Sequence, residues 1–228
     1  MEDDVVRFYV PFDERDDAKR LGARWDKEMR RWYVKTGTDL RPFERWIDPP
    51  VDYLPEVPLD SPRITADIHP DGSLRAIRSR LLQEEWIELR RKVSKDAGYR
   101  CEACGRRGKD HPVETHDIWT FDAETGVQKL VCVKAFCPEC HRVRHLNEEI
   151  RDDFELPRFQ ELVSWTSLVN GWSRKDAEKH LRECDDKRAA LLGRKWTLSA
   201  AAILDYFEDL SAESRERLGL PQASESRW

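Results

Sequence analysis

Apolar positions fall into two stretches of different periodicity, separated by a run that has neither. In residues 5–47, VVRFYV reads as a strand, followed by a helix, a second strand RRWYV and a short helix closing on FERW. Asp13 can cap the first helix, Glu14, Asp16 and Asp17 suit the positive end of its dipole, and Gly22 stands where a glycine would end it. Residues 48–73, DPPVDYLPEVPLDSPRITADIHPDGS, carry prolines that remove backbone donors and fix φ, which predicts a linker without regular structure. From Leu74 to Ala97, Leu81, Leu82, Trp86, Leu89 and Val93 recur at helical spacing, predicting one amphipathic helix ended by Gly98. VETHDIWTFDAETGVQKLVCVKAF holds two β-rich runs around a Thr-Gly turn, an antiparallel hairpin, and a helix is expected to start near Pro138. Residues 156–210 read as two or three helices broken near Gly171 and Gly193, and 211–228 as a polar, fraying tail.

These elements predict an α+β protein: a small N-terminal β/α accessory domain (1–47), a proline-rich linker (48–73) and a larger domain with a helical extension (74–210). The balance of 37% charged to 39% hydrophobic residues, with nine tryptophans, describes a soluble globular chain and excludes general disorder. No stretch approaches the roughly 20 apolar residues of a membrane span, and the acidic start MEDDVVRF lacks the layout of a signal peptide, so a cytoplasmic protein with no membrane partner is expected.

The formal charge of −5 requires any nucleic-acid contact to come from local patches. Residues 75–109, including Arg106 and Arg107, are rich in Arg and Lys, while acidic residues collect at 148–161 and 205–216. In the N-terminal unit, Arg24, Lys27, Arg30 and Arg31 accompany Trp25, Trp32 and Tyr33, a combination able to pair phosphates with base stacking. Alternatively, the aromatics are the core of a fold this small and the charges keep it soluble.

Four of the six cysteines form CEAC (Cys101, Cys104) and CPEC (Cys137, Cys140). Two C-x-x-C turns supply the four thiolates of a tetrahedral zinc site, each freeing backbone amides to donate to sulfur. Buried free thiols or a redox pair are the alternative; Cys132 and Cys184 lack such a partner and read as core residues. CPECHRVRH then places His141 and His145 four apart, on one face if helical, and the hairpin contributes His116. Three neutral imidazoles could hold a divalent ion with open positions. His69 and His111 receive no role, and His180 and Cys184, four apart, lack further ligands.

These motifs, over about residues 86–146, resemble the HNH (ββα-metal, treble-clef) nucleases, and VNGWSRKDAEKHL and KWTL extend the likeness towards residue 205. The resemblance implies a structural zinc at the cysteines and a second divalent cation (Mg²⁺, Mn²⁺, Ni²⁺ or Zn²⁺) at His141 and His145. It also implies catalysis by the hairpin pair His116-Asp117. Either His116 is the base and Asp117 ligates, or the roles reverse. The family's orienting Asn has no counterpart: Cys132 occupies its place, with Gln128 the nearest amide. Trp165, Trp172 and Trp196 are expected to brace the zinc fold, with stacking on bases the alternative. VPFDERDDAKRLGARWDKEMRRWYV, in residues 5–47, is similar to a small domain family of unknown function found beside primase-like and other DNA-processing modules. The expected function is a metal-dependent endonuclease acting on nucleic acid, with DNA the favoured partner. The rivals are a non-catalytic zinc module that binds nucleic acid and a protein-interaction adaptor.

Overall fold

The computed structural model describes residues 5–8, 10, 12–27, 31–47, 56–70, 76–107, 113–150 and 153–222. The mixed α+β architecture has two hydrophobic cores, one in residues 6–47 and one in residues beyond 56. In the N-terminal unit, strands β1 (Val5–Phe8), β2 (Arg24–Asp26) and β3 (Arg31–Lys35) form an antiparallel sheet in the order β1-β3-β2. Strand β2 extends the expected pattern, because Arg24-Trp25-Asp26 folds back onto the RRWYV strand. Helix α1 (Arg15–Arg20) starts after a 3-10 turn, with Glu14 at its N-cap; the expected cap, the Asp13 side chain, lies outside what is described. Period-2 alternation turns Phe8, Trp32 and Val34 to one face, against Ala18 of α1 and Phe43 and Trp46 of the 3-10 segment Arg41–Trp46.

The second unit opens with helix α2 (Gln83–Asp96), shorter than the helix expected from Leu74. Glu85 sets the start: its carboxylate accepts from Leu82 N at 2.9 Å, capping the helix, and also from Ser211 N at 2.9 Å and from Ser214 Oγ. Trp86, Leu89 and Val93 form the buried stripe. The hairpin follows as β4 (Glu114–Asp122) and β5 (Val127–Phe136), antiparallel, with a register shift between Ile118 and Trp119. After it come α3 (Pro138–Arg144), α4 (Leu146–Ile150), α5 (Pro157–Asn170) and α6 (Arg174–Ala189). Strand β6 (Thr197–Ser199) pairs parallel to β5, and Tyr206 Oη both accepts from Val133 N (2.7 Å) and donates to Val133 O (3.1 Å), satisfying the edge beyond β6. Of the expected polar tail 211–228, residues 211–222 are described and pack onto the second unit, and 223–228 lie outside the described residues. Helix α7 (Ala212–Arg217) docks on α2 through Glu85 and buries Leu210 and Leu218.

Of the expected linker 48–73, residues 48–55 and 71–73 lie outside the described residues, and 56–70 are not a free tether. Although they lack regular structure, Ile64 and Ala66 are buried in the second core. Asn170, fully buried at the end of α5, acts as their strand partner: its Oδ1 accepts from Arg63 N (2.8 Å) and Ile64 N (3.2 Å), and its Nδ2 donates to Ile64 O (2.9 Å). Gly171 follows with φ +71°, and a Cβ there would meet Glu56 Cα at 2.7 Å, so glycine is required for this close approach. The prolines exclude a sheet ladder, and side chains of the second unit supply the missing partners instead.

Candidate metal centre

The two knuckles meet at the junction of three elements. Cys101 and Cys104 lie in the turn after α2, Cys137 caps α3, and Cys140 sits in its first turn. Tyr99, at φ +57°, turns the chain into the first knuckle, and its carbonyl accepts from Arg107 Nη1 at 2.6 Å. Glu102 ties the knuckle to β5, donating N–H to Ala135 O (2.9 Å) and accepting from Ala135 N (2.6 Å). The four Sγ atoms lie within 4.8 Å of one another, all on buried residues, with Cys104 and Cys137 at 3.7 Å. Tetrahedral zinc with Zn–S of about 2.3 Å needs S···S separations of about 3.8 Å, so the cluster could hold zinc. Hydrogen bonds from Cys104 and the other knuckle thiols hold Cys101 ionised far below the usual thiol range, while Cys137 and Cys140, both facing Cys101, are pushed far above it. Trp165 covers the cluster, donating Nε1–H to Cys140 Sγ at 3.2 Å.

A second group of donors is built on the same hairpin and helix. His116 of β4, His141 of α3 and His145, the residue that caps α3, bring one ring nitrogen each within 4.8 Å of the others. His116 Nδ1 is 3.0 Å from His141 Nε2, which is 3.1 Å from His145 Nε2. Each opposite ring nitrogen faces a carboxylate: His116 Nε2 to Asp67 at 2.6 Å, His141 Nδ1 to Glu114 at 2.5 Å, and His145 Nδ1 to Glu148 at 3.3 Å. Ionised carboxylates only accept, which places the ring protons on those outer nitrogens and turns three lone pairs inward. Lone pairs this close repel unless a cation lies between them. Ligand nitrogens about 2.0–2.1 Å from a shared ion stand roughly 2.9–3.4 Å apart, so the set fits a divalent metal. Carboxylates behind metal-binding imidazoles fix tautomer and ring orientation. Burial, then the neighbouring imidazoles, hold His145 below its ordinary pKa and keep its lone pair available at neutral pH.

Asp67, Glu114 and Glu148 were not singled out from the sequence. Glu114 was the accessible one, because it shares the β4 face of His116 by period-2 alternation. Asp67 carried a fainter signal, the alternating Ile64, Ala66, Ile68 within the proline-rich run. Burial pushes its carboxyl up, but the His116 hydrogen bond and the Arg144 guanidinium, ion-paired with Asp67, outweigh this and hold it below the usual carboxylate range.

Asp117 does not join the centre. One residue beyond His116, it projects from the opposite face of β4, where its Oδ2 accepts from Trp119 Nε1 at 2.5 Å and Ile77 N at 3.3 Å. Arg107 is buried, with hydrogen bonds to Tyr99 O and Arg45 O, so it ties the two units together rather than facing a ligand. Arg106 lies over the Trp165 ring, 5.9 Å from its centroid. Arg24 is exposed and Arg31 half-buried on the N-terminal sheet; Arg30 and His111 lie outside the described residues. Gln128 is fully buried where β5 meets β6, six residues from Lys134, the partner of His116, and so cannot orient the His116 end of the hairpin. His69 packs edge-on against Phe121, and His180 meets Thr65 Oγ1 at 2.7 Å, where it helps anchor residues 56–70. Trp172 and Trp196 are buried.

Residues 6–48 match a family described as "Domain of unknown function (DUF5710)". In this N-terminal part the chain is 57% identical over 37 residues to two Escherichia coli proteins named DNA primase TraC, a match covering 16% of this chain. The chain spans only 3% and 4% of the length of those relatives. No solved structure matches the chain. No helix among the described residues is long and apolar enough to cross a membrane.

Proposed function

We propose that this chain is a metal-dependent nucleic-acid endonuclease of the HNH type, with a ββα-metal unit stapled by zinc at Cys101, Cys104, Cys137 and Cys140. The observation that carries the reading is the convergence of the His116, His141 and His145 lone pairs, each backed by a carboxylate, beside the cysteine knuckles. A divalent cation held by three neutral imidazoles keeps its full charge and open positions, so when bound it would polarise a phosphate oxygen and acidify a coordinated water.

The side chains have separable tasks. His116 is assigned as a ligand rather than a base, since its Nε2 donates to Asp67 and its Nδ1 turns inward with the other two rings. Asp67, Glu114 and Glu148 hold the imidazole protons outward. Arg144 keeps Asp67 ionised within a buried site. DNA is the favoured substrate class because the N-terminal unit resembles part of proteins named DNA primase.

One observation favours a second reading, a non-catalytic zinc module that binds nucleic acid. Asp117 is turned towards Trp119 and Glu114 is engaged by His141 Nδ1, so neither carboxylate of this part of β4 faces the inward-turned lone pairs as a base. Incubating the zinc-replete protein with plasmid DNA and structured RNA across Mg²⁺, Mn²⁺, Ni²⁺ and Zn²⁺ separates the two. Cleavage that needs added metal and disappears in His141→Ala supports the nuclease; salt-sensitive binding without cleavage under any metal supports the module.

A further inference from the structure

The register of the N-terminal sheet sorts its charged residues in a way that the linear sequence conceals. Phe8, Trp25, Trp32 and Val34 share one face, the face against which α1 and the 3-10 segment pack. The cross-strand partners Arg7, Tyr33 and Arg24, with Arg31, Asp26 and Lys35, share the other. Among the described residues that face carries four cations and one carboxylate around a central tyrosine. Arg7 reaches across β3 to Asp26 at 3.5 Å. Arg24 and Lys35 are exposed and Tyr33 is half-buried. At its rim a concavity of about 240 Å³ opens between Arg24, Tyr33 and Lys35, bounded by Leu21 and Thr38. The two tryptophans suggested by the sequence as stacking groups are on the opposite face: Trp32 is core, and Trp25, although exposed, packs edge-on against it.

We infer that this open face of the N-terminal sheet is a binding platform for single-stranded nucleic acid, in which Arg24 and Lys35 meet successive phosphates and Tyr33 stacks on a base. Charge complementarity selects a polyanion, since the local excess is positive on a chain whose net charge is −5. The aromatic ring amid the cations selects an unpaired strand, because a base inside a duplex offers no free π-face. This inference does not depend on the metal centre being catalytic.

The test is fluorescence anisotropy of the full, zinc-replete chain with a labelled oligodeoxythymidine of about 15 nucleotides, without added divalent ions so that nothing is cut. Arg24→Ala/Lys35→Ala should weaken binding about tenfold and reduce the slope of log affinity against log salt by about 1.4, at about 0.7 per lost phosphate contact. Lys19→Ala/Arg20→Ala removes the same charge from exposed positions on α1 of the same unit and should stay within about twofold of wild type. Tyr33→Ala should cost about tenfold and Tyr33→Phe almost nothing, with thermal melts reporting whether each variant folds. Equal weakening by the two double variants, or by neither, would overturn the inference. A duplex bound as tightly as the single strand would also overturn it. The exposed-residue pair carries the test even if Tyr33→Ala does not fold.

Discussion

Replacing Asp67 by Asn tests the carboxylate that joins residues 56–70 to the three imidazoles. Asn keeps the size of the side chain and one acceptor but removes the charge that holds the His116 proton outward and balances Arg144. Loss of a carboxylate behind a metal-binding imidazole costs about 10–100-fold in metal affinity, or about 1.4–2.8 kcal/mol at about 1.4 kcal/mol per tenfold. A second cost falls on the fold. The Arg144 side chain is only 10% exposed, and a buried ion pair broken on one side costs about 3–5 kcal/mol. The effects separate in Asp67→Asn/Arg144→Met, where no unpaired charge stays buried: urea stability should recover substantially while metal affinity stays low. Calorimetric titration of a divalent metal into protein already loaded with zinc at the cysteines measures the first, and urea unfolding the second. If Asp67→Asn bound the metal as tightly as wild type, or the double variant regained affinity along with stability, Asp67 would act on the fold alone.

Other outcomes follow from the same contacts. Elemental analysis should find roughly one zinc per wild-type chain, and Cys101→Ser should lose it together with cooperative thermal unfolding, because structural zinc contributes directly to folding. Asp117→Ala should leave metal affinity at the three imidazoles within about twofold of wild type in calorimetry, while losing about 1–2 kcal/mol in urea through its bonds to Trp119 and Ile77. Burial pushes the Glu85 carboxyl up, yet hydrogen bonds from Ser214, Ser211 and Leu82 bring it below the ordinary range. A carboxyl lowered in the folded state stabilises it fully above the unfolded value of about 4.3 and less as pH falls through the folded value. The stability gap between wild type and Glu85→Gln, followed by chemical unfolding from pH 7 to pH 3, should therefore hold at neutral pH and close towards pH 3.

How much could be read in advance depended on sequence separation. The cysteine pairs were legible because each knuckle is local and zinc dictates its spacing. The hairpin and α3 followed from alternation and from Pro138, and together they bring His116 to His141. The hairpin pair was divisible only by geometry: adjacent strand residues point apart, so His116 and Asp117 cannot both serve one ion. Asp67 was hidden because prolines suggested a tether, whereas the segment is held by a buried Asn170 more than 100 positions away. Residues 211–218 looked like a fraying tail for the same reason, since Glu85, which captures Ser211 and Ser214, lies far back in the chain. The N-terminal cations were visible, but assigning them to a face needed the β1-β3-β2 register.

Counting bound ions tests most directly whether the three carboxylate-backed imidazoles hold a metal separate from the cysteine site. Native mass spectrometry of the protein dialysed against Ni²⁺ or Mn²⁺ counts the ions directly. The wild type should carry one tightly held zinc plus one further divalent ion, with the second ion alone missing from His141→Ala. A wild-type protein that takes up only one ion under every metal, or a His141→Ala variant that retains two, would contradict a separate metal centre at the imidazoles.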